Sequence, residues 1–368
     1  MYEHDNRVVL TLDAGGTNFV FSAMKAYENI VEPVRMPSVP DDALACLKRI
    51  ADGFREVMSR LGGEKPSAIS FAFPGPADYA SGVIGDLPNF PGFRGGVAMT
   101  AYLEDEFGIP VYINNDGNLY AYGEALAGTL PRVNALLEES GSTKRYRNLI
   151  GLTLGTGFGG GVVIDGRLLT GDNGCGGDVW LMRNTHCPGM IAEESVSIRA
   201  VRRVYSELSG EDASSLTPKD IYDIAEGKRE GNRDAAVKSF AELAEVAADT
   251  IASVLNIVDG LVTIGGGVAG AAKYILPPLV QRLRCGLGSF AGAEFPCVQM
   301  SVYNLEDGKE LKEFLADESA LIKVPGKDLR ACYHPVRKTG VTVSSIGTST
   351  AIFYGAYAFA LAELDSKN

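Results

Sequence analysis

A chain of 368 residues is longer than one hydrophobic core supports and predicts two domains. Its net charge of −12 argues against sequence-independent binding to nucleic acid or to an anionic membrane surface, so neither is expected as a partner. The hydrophobic share of 46% is that of an ordinary globular enzyme, and the 44 glycines follow no period, which excludes collagen-like and low-complexity readings.

In chain order, the polar start Met1 to Arg7 leads directly into an apolar strand, so no secretory leader is expected. The cysteines Cys46, Cys175, Cys187, Cys285, Cys297 and Cys332 have no paired spacing, which predicts reduced thiols and a cytoplasmic location. The first strand, Val8 to Leu12, runs into Asp13-Ala14-Gly15-Gly16-Thr17 and a second apolar strand. A helix is predicted over 42–61, a buried strand over 68–73, a short strand over 111–114 and a helix over 118–126. Residues 130–148 are polar and mixed in charge and read as an exposed connection or an inserted hairpin. The opening pattern then returns: Leu149 to Leu154, the bend Gly155-Thr156-Gly157-Phe158-Gly159-Gly160-Gly161, and Val162-Val163-Ile164. Helices are predicted over 192–208 and 234–258, the latter stopping at Asp259-Gly260, followed by a strand over 261–264 and the turn Gly265-Gly266-Gly267.

Residues 284–338 are assigned only to the second lobe. Residues 339–362 carry no charge and are long enough to span a bilayer, but the Ser, Thr and Gly of the first half read instead as a buried strand and a helix over 350–364. Strands alternating with helices predict an α/β protein with largely parallel central strands. The expected division is a small N-terminal lobe over 1–122, with sugar and phosphate contacts, and a larger nucleotide-binding lobe over 123–368.

Two glycine bends, each between apolar strands, carry the chemical signal. Glycine lets the backbone approach a ligand closely, and successive N–H groups there form an anion-binding concavity. Asp13 at the first bend is suited to magnesium beside nucleotide phosphates, and Thr17 to a phosphate oxygen; an Asp-Ala-Gly-Gly hairpin turn accounts equally for that segment alone. The matching second bend favours phosphate. Asp116, in Asn115-Asp116-Gly117-Asn118 at the end of a strand, is suited to take a proton from an attacking hydroxyl, with helix capping as the plain alternative. Asn89 sits in a proline-fixed loop, and Gly265-Gly266-Gly267 offers bare backbone to a base or ribose or is a flexible connection.

The order of these motifs resembles the ROK family of repressors and kinases, within the actin-like sugar-kinase superfamily. The matching residues are Asp13-Ala14-Gly15-Gly16-Thr17, Phe73-Pro74-Gly75-Pro76, Leu87-Pro88-Asn89, Asn115-Asp116-Gly117-Asn118 with Tyr122-Gly123-Glu124, Leu154 to Gly161, and Ile264 to Gly267. The resemblance implies two ribonuclease-H-like (actin-like ATPase) lobes with a cleft between them, closing over ATP and a hexose. It implies phosphate and nucleotide contacts at Asp13, Gly15, Gly16, Thr17, Gly155, Thr156, Gly157, Gly265, Gly266 and Gly267, with Mg2+ held through Asp13 by way of ATP. Sugar contacts fall to Asn89, Asn115, Asp116 and Glu193, four residues before Ser197, and Glu194 is the neighbouring candidate. Asp116 becomes the catalytic base for the 6-hydroxyl of a hexose, glucose first among them.

Departures from the family pattern accompany the match. The family's Glu-x-Gly-His stretch is replaced by Cys175-Gly176-Gly177-Asp178-Val179-Trp180, where Asp178 is a candidate substitute acid and Trp180 a candidate sugar platform. The cysteine cluster of the family's structural zinc is missing around His186 and Cys187, so no zinc is expected. The partners implied are a sugar and a nucleotide, and a homodimer fits the family. Alternatives kept open are a kinase for fructose, mannose or an N-acetylhexosamine, and a sugar-sensing regulator without a DNA-binding module.

Overall fold

The computed structural model describes residues 1–14, 18–75, 77–85 and 90–367. Its contacts divide the chain into two units, each discontinuous in sequence. Met1–Gly128, Gly161–Gly177 and Ile346–Asn368 make the first, and Thr129–Gly160 with Asp178–Ser345 the second.

In the first unit the apolar runs become strands β1 (Val8–Ala14) and β2 (Asn18–Lys25), followed by helix α1 (Ala43–Ser59), strand β3 (Pro66–Ala72), strand β4 (Val111–Asn114) and helix α2 (Asp116–Leu126). The main sheet runs β2-β1-β3-β4, with β2 antiparallel to β1 and the other pairs parallel. Five successive residues, Val8 to Leu12, are buried, as a central parallel strand covered on both faces requires. Helix α1 starts where the Asp42 carboxylate accepts the Ala45 N–H at 2.9 Å. Its inner face carries Ile50, Phe54 and Val57. Phe54 meets Phe21 edge-on with ring centroids 5.2 Å apart, and each such buried ring contributes about 1.5–3 kcal/mol.

The C-terminal helix, Thr348–Ser366, belongs to this unit and covers β1 and β3. It meets α2 at two glycines. A β-carbon on Gly123 would collide with the Ala351 carbonyl, and one on Gly355 with the Leu119 carbonyl, so the two backbones touch where no side chain fits. Helix α2 runs unbroken through residues 122 and 123.

The second unit repeats the layered plan. Its elements are α3 (Thr129–Glu139), β5 (Leu149–Leu154), α4 (Ile198–Ser209), α5 (Arg233–Val258), β6 (Leu261–Gly265), α6 (Ala272–Leu283), β7 (Gly286–Gly288), β8 (Glu294–Pro296), β9 (Ser301–Asn304) and β10 (Lys338–Val343). Parallel strands follow one another in the order β5-β6-β10-β9. Helix α5 packs against α4 and α6 and ends at Asp259 in the left-handed region, φ 48°, at the stop read from the sequence.

Two expectations are corrected, and residues 284–338 fall in the second unit as expected. Residues 130–148 do not form a mere connection or hairpin, because α3 occupies the first part. Leu130, Val133 and Leu137 are buried at helical spacing, and Pro131 lies in the first turn, where its missing N–H is harmless. The helix predicted over 192–208 is two pieces, a 3-10 turn at Ala192–Glu194 and then α4. Ser197 is extended between them, at φ −160° and ψ 169°. Residues 284–338, unresolved by sequence reasoning, hold two short hairpins, a parallel strand and the helix Gly308–Leu315. Among the described residues no helix is long and apolar enough to cross a membrane; residues 339–362 hold most of β10 and of the C-terminal helix, which buries Ala351, Tyr357 and Leu361.

Candidate active site

Strand register places the candidate residues of the first unit. Arg35 pairs with Val20, Val20 with Asp13, Asp13 with Ala72, and Ala72 with Asn114. Asp13 and Asn114 therefore stand in one row at the C-terminal edge of the parallel strands, two strand spacings or about 10 Å apart. Asn115 and Asp116 continue over that edge, where open α/β sheets bind ligands.

Asn115 is the cap of α2, its side-chain carbonyl accepting the Asn118 N–H at 3.0 Å. Asn118 Nδ2 donates to Asn114 Oδ1 at 3.0 Å, and the same oxygen accepts the Asn115 N–H at 2.8 Å. The turn that carries Asp116 is thus fixed from both sides. Asp116 is the first residue of α2, and its Oδ1 accepts the Gly117 N–H at 2.8 Å.

Asp116 and Asp13 both present surface to solvent. Both carboxyls are nonetheless pushed above the ordinary range. For Asp116 the first cause is desolvation by the surrounding protein; the Gly117 N–H opposes it and the charge of Asp13 adds to it. For Asp13 desolvation again leads, and the Arg35 guanidinium pulls the other way. These are open carboxylates with restricted water around them, the condition of a strengthened base.

In the second unit the candidate residues lie at the C-terminal edge of its parallel sheet. Thr153 pairs with Gly265, so the bend Gly155-Thr156-Gly157 and the turn Gly265-Gly266-Gly267 leave adjacent strands together. Gly155 N–H donates to the Gly157 carbonyl at 3.0 Å, closing the bend, and the Ile198 N–H donates to the Gly155 carbonyl at 2.8 Å. Gly266 has φ 87°, and a β-carbon there would strike the Leu154 backbone; only glycine fits. At Gly155 and Gly267 a β-carbon would meet nothing within 4 Å, so the backbone beside them is open. Thr156 is exposed.

Glu193 is tied to this bend. Its Oε2 accepts the Phe158 N–H at 3.0 Å. Its Oε1 takes Arg199 Nη2 at 2.9 Å, and the same nitrogen reaches Glu194 Oε1 at 2.7 Å. Arg199 Nη1 also donates to the Thr156 carbonyl at 3.3 Å. Its hydrogen bond holds the Glu194 carboxyl below the usual range. Arg199 and Arg35 were missed from the sequence. The signal for Arg199 was a cation in the first turn of a helix, against the dipole, which calls for a local anionic partner.

At the altered family stretch the Trp180 indole N–H donates to Asp178, whose carboxyl desolvation pushes up. Trp180 is 36% exposed. His186 Nε2 stands 3.4 Å from Glu245, and among the described residues no group of three or more His, Cys, Asp or Glu side chains gathers as a metal site requires. Gly15, Gly16, Thr17 and Asn89 lie outside the described residues.

The family model described as "ROK family" matches residues 9–293. A glucokinase of Thermotoga maritima is 27% identical over 75% of this chain and 86% of its own. An N-acetyl-D-glucosamine kinase of Vibrio cholerae is 26% identical over 77% of this chain and 97% of its own. The crystal structure of a glucokinase from Parabacteroides distasonis shares 53% identity, covers 98% of this chain and 99% of its own, and superposes with a TM-score of 0.88.

Proposed function

The chain belongs to the ROK family, and from that membership we propose that it transfers the terminal phosphoryl group of ATP to the 6-hydroxyl of a hexose, glucose first. It is a sugar kinase with the two-lobed α/β fold of the actin-like ATPases, the class that its glucokinase and N-acetyl-D-glucosamine kinase relatives share. The preference for glucose draws its support from the Parabacteroides enzyme, at 53% identity over nearly the whole chain.

The observation that carries the mechanism is Asp116, an open carboxylate at a sheet edge whose basicity the surrounding protein raises. We assign it the proton of the sugar 6-hydroxyl, with Asn115 and Asn89 holding neighbouring hydroxyls. Glu193 keeps lone pairs beyond its bonds to Phe158 and Arg199, enough to accept from the sugar. The bends at 155–157 and 265–267 receive the nucleotide, since the backbone at Gly155 and Gly267 is open and side-chain-free.

Asp13 fits a magnesium ion accompanying ATP, because a cation would relieve the desolvation that now raises its carboxyl. A single protein carboxylate also suits magnesium, which takes its other ligands from water and substrate phosphates. When bound, the metal offsets charge on those phosphates. We assign Gly15, Gly16 and Thr17 to the same phosphates on the strength of the family resemblance read from the sequence.

The test is ATP consumption by the purified protein over glucose, mannose, fructose, N-acetylglucosamine and N-acetylmannosamine, with the product identified. Highest kcat/KM with glucose and formation of its 6-phosphate is the expected result. A higher value for an N-acetylhexosamine would reassign the substrate. Sugar binding without turnover would establish the regulatory alternative.

A further inference from the structure

Two thiols away from the candidate active site face each other across the base of a hairpin. Strands β7 and β8 pair antiparallel, with Gly286 opposite Pro296, Leu287 opposite Phe295 and Gly288 opposite Glu294. One step along the same register stand Cys285 and Cys297, and the Cys297 N–H donates to the Cys285 carbonyl at 2.9 Å. Opposed residues of a hydrogen-bonded antiparallel pair have Cα atoms about 5.5 Å apart. A disulfide spans about 4.4–6.8 Å without moving the backbone. The two thiols are in hydrogen-bond contact, half-buried and free.

Both ends of the pair are anchored. Cys285 follows the cap residue Arg284 of α6, and the Cys297 carbonyl accepts Asn256 Nδ2 from α5 at 2.9 Å. The Arg282 guanidinium lies close enough to interact with both sulfurs and is itself held by Asp249 at 2.8 Å. Between the cysteines the ribbon carries exposed Leu287, Phe290 and Phe295. A two-stranded ribbon alone is marginal in water, so a covalent closure at its base has something to stabilise.

We propose that Cys285 and Cys297 form a thiol–disulfide exchange site, oxidised to an intramolecular disulfide by a low-molecular-weight disulfide and reopened by a dithiol. Cys285, as thiolate beside Arg282, attacks one sulfur of the oxidant; the oxidant's S–S bond breaks and one small thiolate leaves. Cys297 then attacks the Cys285 sulfur of the mixed disulfide and expels the second small thiolate. The two protons given up by the cysteines end on the two released thiols, and the oxidant is reduced by two electrons. Burial pushes the Cys297 thiol up, which suits the resolving rather than the attacking role.

The test treats the full chain with oxidised glutathione, blocks remaining thiols, and digests with chymotrypsin, which cuts after Leu287 and Phe290 inside the loop. A two-peptide species joined through Cys285 and Cys297, and lost on adding dithiothreitol, is expected. Cys285→Ser and Cys297→Ser should each stop at one glutathione adduct on the remaining cysteine of the pair. Recovery of both cysteines from the wild-type chain as blocked free thiols, or as two separate glutathione adducts, would overturn the proposal, and neither outcome depends on the kinase reading.

Discussion

Oε2 of Glu193 stands 2.5 Å from where a β-carbon on Gly157 would lie, and the same oxygen accepts the Phe158 N–H at 3.0 Å. The glycine of this bend is thus the residue that leaves room for a carboxylate. A residue assigned to the sugar and a loop assigned to the nucleotide are one mechanical unit, which links occupancy of one to the shape of the other.

Gly157→Ala should therefore act through Glu193. The carboxylate sits at the end of a flexible side chain, so it swings aside rather than straining the backbone, and the bond to Phe158 is lost. The expected loss of stability is on the order of 1 kcal/mol, with a raised KM for ATP. Glu193→Ala removes the same bond, so the double variant should be no worse than the single ones. Denaturation midpoints that add in the double variant would show the two residues to be uncoupled.

Arg199→Gln removes the cation that joins Glu193, Glu194 and the Thr156 carbonyl. The guanidinium is 46% exposed, so stability should change by only about 0–1 kcal/mol. The effect belongs instead in catalysis, as a several-fold rise in the KM for ATP with a smaller change in kcat. Steady-state kinetics with unchanged KM would assign Arg199 to the surface alone.

What the sequence revealed and what it hid follow from range. The repeated strand–bend–strand pattern and the Asn115-Asp116 turn are local, set by glycine chemistry and burial within a dozen residues, and β1, β5, β6 and the C-terminal helix stand within two residues of their predicted bounds. The row Arg35-Val20-Asp13-Ala72-Asn114 joins five strands and is invisible to any local pattern. The grip of Arg199 on Glu193 was hidden for the same reason, since Ser197 breaks the predicted helix between them. Helix α3 was legible in Leu130, Val133 and Leu137, and was obscured by the charged run that follows it.

Gly355→Ala and Gly123→Ala test the contact that holds α2, and with it Asp116, against the C-terminal helix. In each case the added methyl meets backbone carbonyl oxygen on the partner helix, which cannot rotate away as a side chain would. Each substitution should cost about 3 kcal/mol or more, and activity should fall along with the melting temperature. Gly62→Ala gives the contrast. Its φ of 62° makes it strained but it touches nothing within 4 Å, so it should lower stability by about 1 kcal/mol and leave kcat unchanged.

Asp116→Asn separates catalysis from folding and fixes the sign of the pH dependence. Asparagine keeps an oxygen for the Gly117 N–H but cannot accept the hydroxyl proton, so kcat should fall by about 10²–10⁴-fold or more. In the wild type the carboxyl is raised by desolvation, so the folded state holds its proton to higher pH than the unfolded chain does. Its stabilising contribution is complete below the unfolded value of about 3.9 and is lost as pH rises through the folded one. At neutral pH the wild type therefore carries an unfavourable charge that the variant lacks. Asp116→Asn should melt higher than wild type at pH 7, with the gap closing as pH falls below about 4, and Asp13→Asn should behave alike because its carboxyl is raised by the same cause. The acid limb of kcat/KM should lie above the ordinary aspartate range, since only ionised Asp116 accepts the proton. Thermal melts at pH 4 and pH 7, run beside a pH–rate profile, check all three. A variant that turns over at the wild-type rate would take Asp116 out of the mechanism, and one that melts lower at pH 7 would show that its charge is not held against desolvation.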